Sequence, residues 1–317
     1  MKVVIIGKGL MLANIIIGAL DAGAQIAGVL RYETTSAGRI KLFLCELFNP
    51  SYEYTLIKQL KIKNLHFKSV NSEEFRQFLI KNNIDILFVG TWKERISKNI
   101  YDIPVIGAIN VHPSLLPKYR GPNPYLQTIL NGETTSGVTL HLVDDNYDTG
   151  AILIQDKVPI KAEDTSKELR ERTVVAARSL VTKFLNSLNS NIITPIPQIE
   201  EKATYYKNIS GIEKMLDFNN QTAIEIYRTV KALHPFLPCY ITHKNRFFVV
   251  NPYKIEILDN SYRNNKPEDI IEKSVKDKSL TIICKDQKAV KFSGLKLYNM
   301  SLFTKSYIKN KIKITSC

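Results

Sequence analysis

Through the first half of the chain, short apolar runs alternate with longer stretches of helical periodicity. Residues 2–6 form an apolar run ending in Gly7-Lys8-Gly9, a helical stretch reaches to about residue 22, and a second apolar run covers 25–30. Strand, helix and strand in that order open a doubly wound, mostly parallel α/β sheet. Residues 54–63 read as a helix and 65–67 as a short strand. Asn71-Ser72-Glu73-Glu74 marks a helix start leading into 75–81, with Ser72 or Asn71 as cap. The run 85–90 ends in Gly, as a buried parallel strand does. Another apolar run, 106–112, is stopped by Pro113, and Pro117 and Gly121 bracket the loop after it. A helix over 124–131, starting at Asn123 or Pro122, strands at 137–143 and 151–155, and a long helix over 165–189 complete this half. In the long helix, Leu169, Val174, Ala177, Leu180, Val181 and Leu185 fall at helical spacing.

The pattern changes at 189–202, where Pro195 and Pro197 stand among Asn, Ile and Gln. Beyond it come 210–217, a helix near 222–233, and short alternating strands at 247–250, 254–258, 280–284 and 289–297. Short strands separated by polar turns predict a small antiparallel barrel. The expected division is an α/β domain over 1–189, a linker over 190–207 and a β-rich domain over 208–317.

A length of 317 residues accommodates two such cores. Hydrophobic content of 44% and charged content of 23% are those of a soluble globular protein, whereas the net charge of +14 predicts attraction to phosphate-rich partners. That charge is uneven. Residues 201–317 hold 21 Lys and Arg against 11 Asp and Glu, and Lys305, Lys309, Lys311 and Lys313 carry it to the end of the chain. Basic charge on a barrel is a nucleic-acid footprint. Cys45, Cys239, Cys284 and Cys317 are scattered without a C-x-x-C pair, which argues against a zinc site or disulfide framework and fits a reducing compartment. The N-terminus is too quickly interrupted for a signal peptide, and no apolar run reaches the ~20 residues of a membrane helix. The expectation is a cytoplasmic protein with no membrane partner.

The glycines of Gly7-x-Gly9 lack the third member of a dinucleotide fingerprint, since Leu12 occupies that position, so they read as a tight strand-to-helix turn. The richer chemistry lies further on. Asn110 and His112 are two residues apart at the end of a strand, hence on one side of it. Asp148 lies in the polar loop 144–150 and is placed to fold back toward them. A carboxamide, an imidazole and a carboxylate are the parts needed to stabilise an oxyanion and move a proton. His66 reads as a surface residue and His141 as structural or site-lining; neither has metal-ligand spacing.

Asn110-Val-His112, Ser114-Leu-Leu-Pro117 and Asp148-Thr-Gly150 together resemble the signature of the folate-dependent formyltransferase superfamily, and the likeness covers nearly the whole chain. It implies the Rossmann-like formyltransferase fold followed by an OB-like barrel, in which Leu233-His234-Pro235 and Pro267-Glu-Asp-Ile-Ile are loose landmarks. It also implies 10-formyltetrahydrofolate as cosubstrate, a primary amine as acceptor and no metal. In that reading Asn110 and His112 donate hydrogen bonds to the developing oxyanion, and Asp148 pairs with His112 and helps to take the amine's proton. Ser114, Leu115, Leu116 and Pro117 wall the folate side chain, and backbone at 91–96 and 141–147 holds the pterin. Trp92, Asp144 and Gly150 complete the folate site. Arg39 and Lys41, in the polar loop 34–43, are where the resemblance places contacts to the acceptor stem of charged initiator tRNA. Pro113 and Gly121-Pro-Asn-Pro124 depart from that branch's usual pattern, so a nucleotide-linked amino sugar stands as the alternative acceptor. A non-catalytic tRNA-binding relative is the third reading.

Overall fold

A computed structural model describes residues 1–31, 50–188, 193–208, 216–243 and 246–297. Arg39, Lys41, Cys45, Cys317 and the lysines beyond 300 lie outside the described residues. The chain divides into two compact units. The first comprises Met1–Pro124, Thr135–Pro159 and Arg170–Tyr206, and the second Tyr125–Thr134, Ile160–Leu169 and Lys207–Cys317.

The first unit is built on seven strands: β1 (Lys2–Gly7), β2 (Gln25–Arg31), β3 (Asn64–Leu65), β4 (Ile86–Gly90), β5 (Gly107–His112), β6 (Thr135–Leu142) and β7 (Ile152–Pro159). Their order is β3-β2-β1-β4-β5-β6-β7. The first five run parallel, and β6 and β7 are antiparallel additions. The doubly wound expectation is met. Because β1 has β2 on one side and β4 on the other, the order reverses there, and the carboxyl edge beside it is where such sheets bind ligands.

Two-residue periodicity sorts the strands onto two cores. Val3, Ile5, Ile86, Phe88, Ile109 and Val111 face α1 (Gly9–Asp21) and the residues Val174, Ala177, Leu180, Val181 and Phe184 of α6 (Ser166–Leu188). Val4, Ile6, Leu87, Val89 and Ala108 face the opposite way, toward Phe75 and Leu79 of α3 (Glu73–Lys81) and Ile100 and Tyr101 of α4 (Lys98–Tyr101). Both faces are apolar because parallel strands are covered on both sides.

Helix α2 (Tyr52–Gln59) starts earlier and ends sooner than its periodicity predicts. The Ser51 hydroxyl caps Tyr54 N, and Lys61 adopts a left-handed φ of 52° that stops the helix. Glu53 of this helix accepts from Gly9 N at 2.9 Å, so a carboxylate of the chain itself occupies the N-terminus of α1. At the other side of that turn Gly7 approaches β4 so closely that a Cβ would lie 1.9 Å from the Gly90 oxygen.

The second unit contains α7 (Ala223–Leu233), opened by a Thr222–Glu225 capping box, and an antiparallel β region where a small barrel was expected. Its strands are β8 (Tyr240–His243), β9 (Arg246–Val249), β10 (Ile255–Leu258), β11 (Ile270–Ser274), β12 (Ser279–Ile283), β13 (Ala289–Phe292) and β14 (Lys296–Leu297). Hydrogen bonding groups them as β10-β13-β12-β11 and β14-β9-β8. The run 289–297, expected to be one strand, is broken because Gly294 takes a φ of 64°, and its halves join different sheets. Cys239 and Cys284 are free and buried, and burial pushes both thiols up to about 12. No helix among the described residues is long and apolar enough to cross a membrane. Helix α5 (Pro124–Leu130) completes the α-helices among the described residues.

Candidate active site

Period-two geometry carries the site. Ala108, Asn110 and His112 share one face of β5, and the antiparallel register with β6 sets Asn110 opposite His141 and His112 opposite Thr139. Four polar side chains therefore gather at the carboxyl end of β5, beside the 91–96 loop that leaves β4. Asp148 closes the group from the 144–150 loop.

The hydrogen-bond donors can be assigned by elimination, because carbonyl oxygens only accept. His141 Nδ1 lies 2.8 Å from Leu142 O and must carry the proton, which leaves Nε2 to accept from Asn110 Nδ2 at 3.1 Å. The same carboxamide nitrogen donates to Asp148 Oδ1 at 3.2 Å. His112 Nε2 donates to Tyr119 O at 2.9 Å, and its Nδ1 faces Asp148 Oδ1 at 3.3 Å. Gly121 N donates to the other oxygen, Asp148 Oδ2, at 2.9 Å.

These contacts set the charges. Burial pulls the His112 pKa down, but the Asp148 charge and hydrogen bond and the Tyr119 carbonyl outweigh it, and the net displacement is upward. Burial alone raises the Asp148 pKa. The opposing charge and hydrogen bond of His112, then His141 and the Gly121 amide, hold its carboxyl well below the usual carboxylate range. Burial lowers His141 to about 4, so it is neutral at pH 7. The cluster is an imidazolium–carboxylate pair with a neutral imidazole and a carboxamide beside it.

The loop after β5 is held from within. Thr139 donates to Ser114 O at 2.6 Å and accepts from Leu116 N at 3.2 Å and Gln155 Nε2 at 2.8 Å. Ser114, fully buried, donates to Lys118 O, and the Leu115 side chain lies over Gly137. Asp144 accepts from Asn146 N and Thr149 Oγ1, closing its own loop. Asp148 itself has a left-handed φ of 61°. At Gly150 a Cβ would lie 1.9 Å from Leu142 O, so only glycine lets the loop return onto β6.

A cleft opens at this edge, lined by Val89, Trp92, Asn110, His141, Val143, Asp144, Tyr147 and Asp148, among others. Of the residues expected at the site, Asn110, Asp148, Trp92 and Asp144 are on the wall. His112 is 4% exposed and stands behind Asp148, with its Nε2 turned to Tyr119 instead of the cleft. Ser114 and Leu116 are buried, and Leu115, Pro117 and Gly150 are likewise outside this lining; their contacts hold the loops rather than the cleft surface. The physical reason is that the loop turns inward onto Thr139 as soon as Pro113 ends the strand.

Tyr119, Arg120 and Gln198 also belong to the site, although sequence alone does not single them out. Arg120 is buried and pairs bidentately with Glu200, at 2.9 and 2.7 Å, while donating to Gln198 Oε1. Arg120 and Tyr119 follow a recognisable loop motif. Gln198 sits in a stretch whose composition reads only as a linker.

A carboxylate-paired imidazolium, with a carboxamide on the wall of a cleft at the carboxyl ends of β4 and β5, defines a group-transfer enzyme of the doubly wound α/β class. The family model described as Formyl transferase matches residues 1–185, and the chain belongs to that family. It is 30% identical over 236 residues to the methionyl-tRNA formyltransferase of Lachnospira eligens, covering 74% of this chain and 73% of that one. With the methionyl-tRNA formyltransferase of Enterococcus faecalis the identity is 29% over 286 residues, 89% of this chain and 87% of the relative. Among solved structures, the sugar 3N-formyl transferase WlaRD, crystallised with dTDP and 5-N-formyl-THF, has a TM-score of 0.66. It shares 21% identity over 95% of this chain and 99% of its own.

Proposed function

We propose that the enzyme moves the formyl group of 10-formyltetrahydrofolate onto the methionyl amino group of charged initiator tRNA, in the cytoplasm. The observation that carries the chemistry is the Asn110 carboxamide at the cleft wall, hydrogen-bonded to an Asp148 carboxylate that is itself paired with His112. The relatives named methionyl-tRNA formyltransferase, matched over most of both chains, favour the acceptor.

Trp92 and Tyr147 on the cleft wall offer aromatic surface to a pterin. As the neutral amine attacks, negative charge develops on the formyl oxygen. Asn110 donates to Asp148 at 3.2 Å from the cleft wall, and an entering oxygen beside Asn110 competes for that hydrogen. His112 does not point into the cleft. It acts from behind, as a fixed positive charge that favours the anionic transition state and keeps Asp148 ionised. Asp148, reached from the cleft, relays the amine's proton through a water, and as the new C–N bond forms the bond between the formyl carbon and N10 breaks and N10 of the departing tetrahydrofolate takes up a proton. Arg39 and Lys41 serve the tRNA in this reading.

A second acceptor, a nucleotide-linked amino sugar, is supported by the shared fold of the sugar 3N-formyl transferase. The two readings separate in one assay that offers methionyl-tRNA and a panel of nucleotide amino sugars with 10-formyltetrahydrofolate. Formylation of the charged tRNA with the sugars inert is expected, with a steep salt dependence because each neutralised phosphate releases counterions. Turnover of a sugar with tRNA inert replaces the acceptor. Transfer to neither removes the catalytic reading and leaves a tRNA-binding relative.

A further inference from the structure

The 193–206 stretch forms a strap tying together the two loops that hold Asp148. It is antiparallel to β7 at Ile152, where Ile152 and Ile196 exchange backbone hydrogen bonds at 2.8 Å each. Further along it runs parallel to the 113–121 loop. There Arg120 N donates to Thr204 O at 2.9 Å and Tyr206 N to Arg120 O at 3.0 Å. Between these anchors the Gln198 carboxamide is fully used. Its Nε2 donates to Asp148 O at 2.9 Å and Gly150 O at 2.8 Å, and its Oε1 accepts from Arg120 Nε at 3.2 Å and Nη2 at 2.9 Å. Reversing the amide would set oxygen against two carbonyls and NH₂ against a guanidinium, so one orientation is enforced.

Asp148 is thereby gripped at both ends. Asn110, His112 and Gly121 N hold its carboxylate, and Gln198 holds its carbonyl while the backbone stays left-handed. A residue other than glycine stays in that conformation only where its surroundings over-determine it. Arg120, bound by Glu200 on its far side, is what fixes Gln198, and Glu200 is the exposed member of the chain at 65%.

We propose that Gln198 is a positioning residue for formyl transfer, coupling Arg120 to the Asp148 loop and setting the spacing between His112 and Asp148. The inference rests on the formyl-transfer reading for its kinetic consequence, but its geometric half does not. Gln198 lies outside the cleft lining, so its loss acts on the chemical step through Asp148.

Three variants test this. Gln198→Glu keeps an acceptor for Arg120 but has no hydrogen for the Asp148 and Gly150 carbonyls. Gln198→Asn is one methylene too short to serve both partners, and Gln198→Ala serves neither. All three are expected to lower kcat by about 10- to 100-fold with KM for both substrates within about twofold, as a misplaced catalytic group does. The two neutral variants are also titrated by NMR with labelled histidine. The groups facing His112 are Asp148, His141, Arg120 and the Tyr119 carbonyl, and with Asp148 loosened the His112 resonance is expected to titrate at lower pH than in the wild type. If Gln198 merely anchors the strap through Arg120, Gln198→Glu keeps wild-type kcat, and that result overturns the proposal. An unshifted His112 titration in both neutral variants overturns it as well. A wild-type enzyme that formylates nothing, with the His112 shift still present, removes the functional reading and leaves the coupling standing.

Discussion

His112 and Asp148 face each other at 3.3 Å, with side chains only 5% and 12% exposed, and each moves the other's proton affinity in the direction that keeps both charged. An ion pair this deeply buried costs more to break from one side than it contributes as a pair, because the partner left behind has no solvent to turn to. The pair is held by backbone groups, Tyr119 O on the imidazole and Gly121 N on the carboxylate.

The first prediction follows from that pairing. Asp148→Asn preserves shape and removes the charge, so His112 loses its main reason to stay protonated. At neutral pH kcat is expected to fall by about 10²- to 10⁴-fold, the usual worth of a positioned acid–base group. If the His112 imidazolium supports the transition state, wild-type kcat declines as pH rises through its elevated pKa. Any residual activity of Asp148→Asn then declines at lower pH. A full pH–rate profile of both proteins checks this, and coincident alkaline limbs would remove His112 from the mechanism.

The second prediction concerns stability. His141 titrates at about 4 in the folded protein against a reference value of 6.5, so the unfolded chain binds its proton first. Stability is therefore lost as pH falls from about 6.5 toward 4, by about 3 kcal/mol. His112 has the opposite sign. Its raised pKa adds stability that is fully present below about 6.5 and lost as pH rises through the folded value. Asp148, depressed, adds stability present above about 3.8 and lost as pH falls through its folded value. His141→Gln keeps an acceptor for Asn110 and removes the titration. Urea unfolding at pH 7 and pH 4.5 is expected to show a smaller acid loss in the variant than in the wild type, by about 2 kcal/mol.

Much of this is legible in the sequence. The β-branched runs at 2–6 and 85–90 and the alternation 108, 110, 112 fix strands and faces, because a strand has only two sides. His141 was within reach too, since Val138 and Leu140 alternate with Thr139 and His141. What could not be read was the register that sets Asn110 opposite His141, because register is a long-range property decided by packing. The inward turn of 114–117 depends on Thr139, 25 residues from Ser114, and no local pattern announces it. Gln198 was hidden for the same reason. A residue whose partners are the carbonyls of Asp148 and Gly150 and the guanidinium of Arg120 has no signature in its own neighbourhood.

Gly150→Ala is the third prediction. The new Cβ would fall 1.9 Å from the Leu142 carbonyl oxygen, a backbone atom that cannot swing aside. The loop must shift, carrying Asp148 away from Asn110 and weakening the bond from Gln198 to Gly150 O. A loss of about 1–3 kcal/mol in unfolding free energy is expected, together with a drop in kcat larger than the change in either KM. Wild-type kinetics in a destabilised variant would show that the loop relaxes without moving the carboxylate.

The fourth prediction isolates the support beneath the site. Thr139 is fully buried, and its hydroxyl donates to Ser114 O while accepting from Leu116 N and Gln155 Nε2. Valine has nearly the same shape, so Thr139→Val opens no cavity. It does leave a buried carbonyl and a backbone N–H without this partner, whereas Gln155 retains its bond to Leu116 O. Each orphaned group costs about 1–3 kcal/mol, so a total near 3 kcal/mol is expected from chemical denaturation. Because Thr139 pairs with His112 across the strands, the 113–121 loop and the Tyr119 carbonyl on which His112 leans should loosen together. Hydrogen exchange at Leu116 N and Arg120 N is the direct reading. Faster exchange at both amides, with β1 and β4 still protected, locates the damage in the loop, whereas uniform acceleration across the sheet would mean that Thr139 serves the core instead.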